Sequence, residues 1–142
     1  MKKVLIFGAS GQIGRHLVRK LTKNNYIVTA VTRNLHQKAY VLKTQANAGY
    51  IEIVEANIFD EQKIRNLICK NDICINLIGI LYERGKGNTF KNIHTIFPSL
   101  ISKICEEYKI KQYIHLSALG IEEATDSDYA KSKLEGEINI KK

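Results

Sequence analysis

The chain has 142 residues, 44% hydrophobic and 25% charged, ordinary values for one soluble domain with a real core. Lysine and arginine outnumber aspartate and glutamate 22 to 14, a formal charge of +8. The cations are scattered rather than clustered, and no apolar run is long enough to span a bilayer, so neither a nucleic-acid-binding tract nor a membrane span is expected.

The first element is the β-rich run Lys2 to Gly8, "KKVLIFG". A fully buried strand is predicted there, because the run is short, apolar and closed by glycine. It follows the initiating methionine too closely to be a signal peptide, which places the chain in the cytoplasm. Ile13, Leu17, Val18 and Leu21 then recur at helical spacing, and the pattern ends at Asn24-Asn25. "YIVTAVT" (26–32) reads as a second strand, and residues 35–48 as a short helix or a loop. "YIEIVEANI" (50–58) is a third strand, Glu61 to Cys69 a helix, and "ICINLIG" (73–79) a fourth strand. After a charged, glycine-containing loop (81–89), Asn92 to Tyr108 reads as a helix with Ile93, Phe97, Leu100, Ile101 and Ile104 on one face. "QYIHLSAL" (112–119) is a fifth strand, and Asp128 to Ile138 a last helix capped by Ser127 or Asp128.

Strands alternating with helices imply βαβ units with right-handed crossovers, hence an α/β fold with a doubly wound parallel sheet. Near-continuous apolar strands fit a sheet covered on both faces. Cys69, Cys74 and Cys105 form no Cys-x-x-Cys pair and suit a reducing compartment, with Cys74 and Cys105 as small buried hydrophobes. No metal site is expected. His16, His36, His94 and His115 read as structural or solvent-facing residues.

Gly8, Gly11 and Gly14 stand at the junction of the first strand and first helix. Gly8 permits the tight turn, Gly11 lets the backbone approach a pyrophosphate, and Gly14 allows the helix to pack closely on the strand. The free N–H groups of Ser10 to Gly14, including those of Gln12 and Ile13, would then face an anion at the positive end of the helix. This context, and not the glycine triplet alone, predicts dinucleotide binding. At the end of the second strand, where a carboxylate would favour NAD(H), stand Thr32 and Arg33. A guanidinium there suits a 2′-phosphate, so NADP(H) is the expected cofactor and NAD(H) the second choice. Asn57 and Ile58 could flank an adenine ring, an amide suiting its edge and an apolar side chain its face.

Ser117 closes the fifth strand, and Tyr129 and Lys133 lie one turn apart on one helix face. In that geometry Lys133 lowers the phenol's pKa and holds a ribose, Tyr129 acts as the acid, and Ser117 orients the substrate oxygen.

The combination resembles the extended short-chain dehydrogenase/reductase superfamily. "FGASGQIGRHL", "INLIGILYE", "IHTIFPSLISKICEEYKIKQYIHLSALG" and "YAKSKLEGE" are similar, within it, to the NADPH-binding accessory subunits of respiratory complex I and their bacterial relatives. Pro98 and the Asn76–Gly79 stretch are typical of that group, and the likeness runs over essentially the whole chain. The resemblance implies a Rossmann-like sheet of order 3-2-1-4-5, and cofactor contacts from Gly8, Gly11, Gly14, Arg33 and the backbone around Leu77, Ile78 and Gly79. It also implies superfamily catalytic positions at Ser117, Tyr129 and Lys133, and a nucleotide that serves structure more than turnover.

Members of the family continue well beyond the Tyr-x-x-x-Lys helix. Residues 1–142 are therefore expected to be a single NAD(P)-binding domain without the C-terminal substrate lobe, weakly active or inactive alone. The partner is expected to be a second copy, a complementary C-terminal fragment or a respiratory complex, through which the chain would sit peripherally at the inner membrane. The other readings are a reductase or epimerase of the superfamily, and an RNA-binding or redox-sensing protein on the same fold.

Overall fold

The computed structural model describes residues 2–9, 12–32, 49–57, 59–78, 95–110 and 112–115. Among the described residues eight elements follow in order: β1 (Lys3–Phe7), α1 (Gln12–Lys23), β2 (Ile27–Thr32), β3 (Ile51–Glu55), α2 (Glu61–Cys69), β4 (Ile73–Asn76), α3 (Phe97–Glu107) and β5 (Gln112–His115). The strands form one sheet of order β3-β2-β1-β4-β5, parallel at every pairing. The expected α/β architecture and strand order are both observed. The expected last helix, the 35–48 segment and the 81–89 loop lie outside the described residues.

Because successive strand residues point to opposite faces, β1 feeds two cores. Leu5 and Phe7 face α2 and α3, where they meet Ile64, Ile68, Ile101 and Ile104. Val4 and Ile6 face the other way and meet Val18 with Val28 and Ala30 of β2. Residues Val4 to Phe7 are fully buried, as a central strand covered on both sides requires. The Phe7 and Phe97 rings meet edge to face, 5.3 Å between centroids, the arrangement their quadrupoles favour. Cys74 and Cys105 lie in the first of these cores. The hydrogen bond with Cys105, together with burial, raises the Cys74 thiol well above its ordinary value, which keeps it a packing residue rather than a nucleophile.

Two boundaries differ from the sequence reading, each for a local reason. The third strand ends at Glu55, because Asn57 folds the chain into a turn. Its Oδ1 accepts the Phe59 N–H at 2.9 Å and its backbone oxygen accepts the Asp60 N–H at 3.0 Å. Asp60 then caps α2, its side chain accepting the Lys63 N–H. The fourth strand ends at Asn76, where the side chain takes over a backbone donor, as described below. The helix expected from Asn92 to Tyr108 is described from Phe97 to Glu107, with Pro98 in its first turn. Proline lacks an N–H and has a helix-compatible φ, so it suits a helix start better than an interior; residues 91–94 lie outside the described residues.

Helices α1 and α3 end in the same way. The Tyr26 N–H donates to Leu21 O and the Asn25 N–H to Thr22 O, while the Ile110 N–H donates to Cys105 O and the Lys109 N–H to Glu106 O. Both are Schellman closures, which place one residue in the left-handed region. That residue is Asn25 (φ 67°) in α1 and Lys109 (φ 53°) in α3. Asparagine tolerates this conformation, whereas lysine pays about 1–2 kcal/mol for it. Lys109→Gly is therefore expected to stabilise the fold by about 0.5–1 kcal/mol, the relief of strain outweighing glycine's extra unfolded-state entropy. A higher urea midpoint with an unchanged slope is the expected measurement; a lower midpoint would show that Lys109 makes a compensating contact.

On the outer side of α2 and α3, Arg65 donates to Glu61 at 3.0 Å and also pairs with Glu107. The guanidinium bond holds the Glu107 carboxyl below its ordinary value. The pair's contribution is thus present above the ordinary carboxylate range and is lost on acidification. It lies at the surface with Arg65 half-buried and both carboxylates exposed, so salt should weaken it.

Candidate functional site: the carboxyl ends of the strands

In an open parallel sheet, ligands bind where the chain leaves the central strand in opposite directions. Here that point lies between β1, which continues to α1, and β4, which pairs with β1 on the other side. Gly8 follows β1 directly with φ +82°, a conformation that L side chains rarely adopt. A Cβ on Gly8 would lie 3.0 Å from the backbone of both Leu77 and Ile78. The turn after β1 and the exit from β4 therefore touch through bare backbone. Beyond the turn, a Cβ on Gly14 would lie 2.5 Å from Ala9 O and 2.6 Å from Gly8 O. Only a residue without a side chain lets α1 sit this close to the strand that feeds it. The first turn of α1 carries no acidic residue, so nothing there repels an anion from the positive end of the helix.

Gly8, Gly14, Leu77 and Ile78 thus converge. Ile13 is 55% exposed. It leaves the apolar face that its spacing suggested, within the first turn of α1. Asn57 is exposed at the carboxyl end of β3, on the sheet end shared by the glycine turn. With its Oδ1 accepting the Phe59 N–H, its Nδ2 remains to donate. Gln12 opens α1. Ser10, Gly11, Arg33, Ile58, Gly79, Ser117, Tyr129 and Lys133 lie outside the described residues, as does His94.

One residue at this end was not expected at the site. Asn76 is fully buried at the end of β4. Its Oδ1 accepts the Ile78 N–H at 3.1 Å, and its Nδ2 lies 3.3 Å from His115 Nδ1 on β5. The signal that could have found it is a single amide inside an otherwise apolar run, since a polar group buried there has to be hydrogen-bonded. Tyr113, two residues before His115, packs beneath it, and burial pushes its phenol well above the ordinary value. A depression of about 210 Å3 lined by Lys2, Asn24, Asn25 and Tyr26 lies at the opposite, amino-terminal end of the sheet and is unrelated to this cleft. Among the described residues no group of side chains could hold a metal ion, and no helix is long and apolar enough to cross a membrane.

The close backbone approaches at Gly8 and Gly14 are those that a dinucleotide-binding strand–turn–helix requires. A family model described as NAD(P)H-binding matches residues 8–141, which begin at the first glycine of this turn. Among curated proteins, the chain is 26% identical over 132 residues to the mitochondrial NADH-ubiquinone oxidoreductase 40 kDa subunit of Neurospora crassa, covering 93% of this chain and 35% of that protein. It is 30% identical over 132 residues to the mitochondrial NADH dehydrogenase [ubiquinone] 1 alpha subcomplex subunit 9 of Arabidopsis thaliana, covering 93% and 33%. The chain therefore spans about a third of the length of the curated relatives it matches. Among solved structures, the Bordetella bronchiseptica enzyme WbmH in complex with NAD+ superposes with a TM-score of 0.80 at 18% identity, over 99% of this chain and 52% of that one. At that identity the likeness speaks for the fold. The two subunits agree with the complex I resemblance carried by the glycine turn and the "INLIG" stretch.

Proposed function

The chain belongs to the NAD(P)H-binding family, and from that premise we propose that it holds NADP(H) at the carboxyl end of its sheet as a dinucleotide-binding subunit of a respiratory complex. A nicotinamide dinucleotide is the cofactor this family takes. The observation that carries the reading is the close backbone packing of Gly8 and Gly14 against the Leu77–Ile78 exit and the β1 turn, together with a first turn of α1 that carries no acidic residue. In this reading the N–H groups of Ser10 to Gly14 take the pyrophosphate, Ile13 covers it from one side, and Asn57 with Ile58 flanks the adenine. Arg33 takes the 2′-phosphate, and the backbone of Leu77 to Gly79 borders the nicotinamide half. The bound group would supply hydride chemistry if a substrate met it. Assembly into a respiratory complex is supported by the two subunits to which the chain is similar.

The first test is binding itself. Calorimetric titration of NADPH and NADH into the purified chain should give saturable binding of both, tighter for NADPH; no heat and no fluorescence change with either would remove this reading.

A second reading is a reductase or epimerase of the extended superfamily. It is favoured by the order Ser117, Tyr129, Lys133 after five strands and a glycine turn. Tyr129 would protonate or deprotonate the substrate oxygen with Lys133 holding its pKa down. Dinucleotide binding retained in Tyr129→Phe, with no turnover to lose in a carbonyl and sugar-nucleotide screen, supports the subunit role. Turnover that Tyr129→Phe abolishes supports the enzyme.

A further inference from the structure

We infer that Asn76 is a positioning residue for the dinucleotide cradle, and that it holds the β4 exit in place only while His115 is neutral, so that a proton on His115 loosens the cradle. This rests on the dinucleotide reading for its consequence but not for its geometry. Asn76 has no exposed surface, and its two amide atoms face different partners. The Ile78 N–H is a fixed donor, and it points at Asn76 Oδ1. That settles which way the amide faces, because the reverse orientation would set N–H against N–H. The Nδ2 group thereby faces His115 Nδ1, with the Tyr113 hydroxyl as a second partner of the Asn76 side chain, and a donor towards Nδ1 requires Nδ1 to be without a proton. The backbone of Ile78 thus sets the amide, and the amide sets the imidazole tautomer.

The same backbone walls Gly8: a Cβ there would lie 3.0 Å from both Ile78 N and Leu77 C. Leu77 is also tied to β1, its N–H donating to Phe7 O at 2.9 Å. A shift of the β4 exit is therefore transmitted to the glycine turn by direct contact. When Nδ1 takes up a proton, it faces Nδ2–H as a second donor. The amide can turn over and offer its oxygen to the imidazolium, but its NH2 then faces the Ile78 N–H. Either way one buried donor loses its acceptor, and relief requires the Ile78 backbone to move.

Other titratable groups stand on the elements packed against this pair. Cys74 on β4 and Tyr113 on β5 are both held above their ordinary values, so neither changes charge where an imidazole titrates. Cys105 on α3 is lowered by its hydrogen bond with Cys74. Lys103, Glu106 and Glu107 of α3 are exposed, and Asp72 lies at the far end of β4, where its carboxylate accepts the Lys3 N–H. The variant His115→Gln separates His115 from all of these. Its amide oxygen can still accept from Asn76 Nδ2, while nothing at that position titrates.

The sign follows from linkage. The cradle favours neutral His115, so binding lowers the imidazole pKa. Affinity is fully present above the free chain's imidazole pKa and falls below it by at most about tenfold per pH unit, one proton being taken up. The experiment combines two readouts between roughly pH 5 and 8, the range in which imidazoles titrate. In the free chain, two-dimensional NMR should show the Ile78 amide moving with the His115 ring and the Gly8 amide following. In NADPH titrations the wild type should weaken as pH falls, and His115→Gln should bind equally across the range. An Ile78 amide that stays still while His115 titrates overturns the inference, as does a His115→Gln profile that matches the wild type. If the chain binds neither NADPH nor NADH while the Ile78 amide follows His115, the dinucleotide reading fails and the coupling between His115 and the β4 exit stands.

Discussion

Gly14→Ala should destabilise the fold by about 2 kcal/mol and remove dinucleotide binding with it. The added Cβ would lie 2.5 Å from Ala9 O and 2.6 Å from both Ala9 C and Gly8 O. All three are backbone atoms, so no side chain can rotate away. The strain can be relieved only by lifting the start of α1 off the β1 turn, in a region where Ala9 and Val18 are fully buried. Overpacking of this kind costs about 1–3 kcal/mol, occasionally more, and the upper end applies where backbone is the obstacle. Alanine's better helix propensity returns about 1 kcal/mol. Against a total stability of about 5–15 kcal/mol for a domain, the net loss is large enough to read from a urea midpoint. Gly49→Ala makes the control. Gly49 has φ +88° but nothing within 4 Å of its Cβ position, so that variant should lose only the cost of the left-handed backbone, about 1–2 kcal/mol, and keep its NADPH affinity. A Gly14→Ala chain as stable as its parent, with unchanged affinity, would show that α1 does not need its close seat on the β1 turn.

Arg33→Ala should weaken NADPH binding about 10- to 150-fold and leave NADH binding nearly unchanged. Thr32 is the last residue of β2 and is buried, so the next residue in the chain begins the segment that leaves the carboxyl end of that strand. In a sheet of order β3-β2-β1-β4-β5 this is the end beside the glycine turn, on the adenosine side of the switch point. NADPH differs from NADH by one phosphate on the adenosine ribose, and a hydrogen bond to a charged group contributes about 1.5–3 kcal/mol. Each 1.4 kcal/mol is about tenfold in affinity. Calorimetry with both cofactors at two salt concentrations reads the effect. Raising the salt should shrink the NADPH advantage of the parent chain and leave the variant flat. Equal losses for the two cofactors would mean that Arg33 supports the loop and does not read the 2′-phosphate.

The order of elements was legible in the residues themselves. A strand such as Val4–Phe7 announces itself because a central parallel strand is buried on both faces and so is apolar at every position. The helix Glu61–Cys69 was readable to the residue because an acidic first turn and a capping Asp60 mark its start. Gly8 and Gly14 were readable because close backbone approaches admit no other residue, and the crossover rule fixes the hand of each strand–helix–strand unit, while the strand order came from the family resemblance. These are local or topological constraints, and each acts within a few residues or through the handedness of the polypeptide.

What touches what was decided only by the fold. Nothing near Gly8 in sequence says that the wall it must fit is the backbone of Leu77 and Ile78. Ile13 keeps helical spacing with Leu17 and Val18 and is nevertheless exposed, because the helix starts beyond the edge of the core that its later turns cover. Asn76 and His115 each look like an isolated polar residue in an apolar strand. Only the parallel register that sets Asn76 opposite His115 makes them a pair. Periodicity records which face of an element is buried, since burial repeats with the geometry of helix and strand. It carries no record of the partner across the interface, because that contact depends on how the sheet aligns residues far apart in the chain.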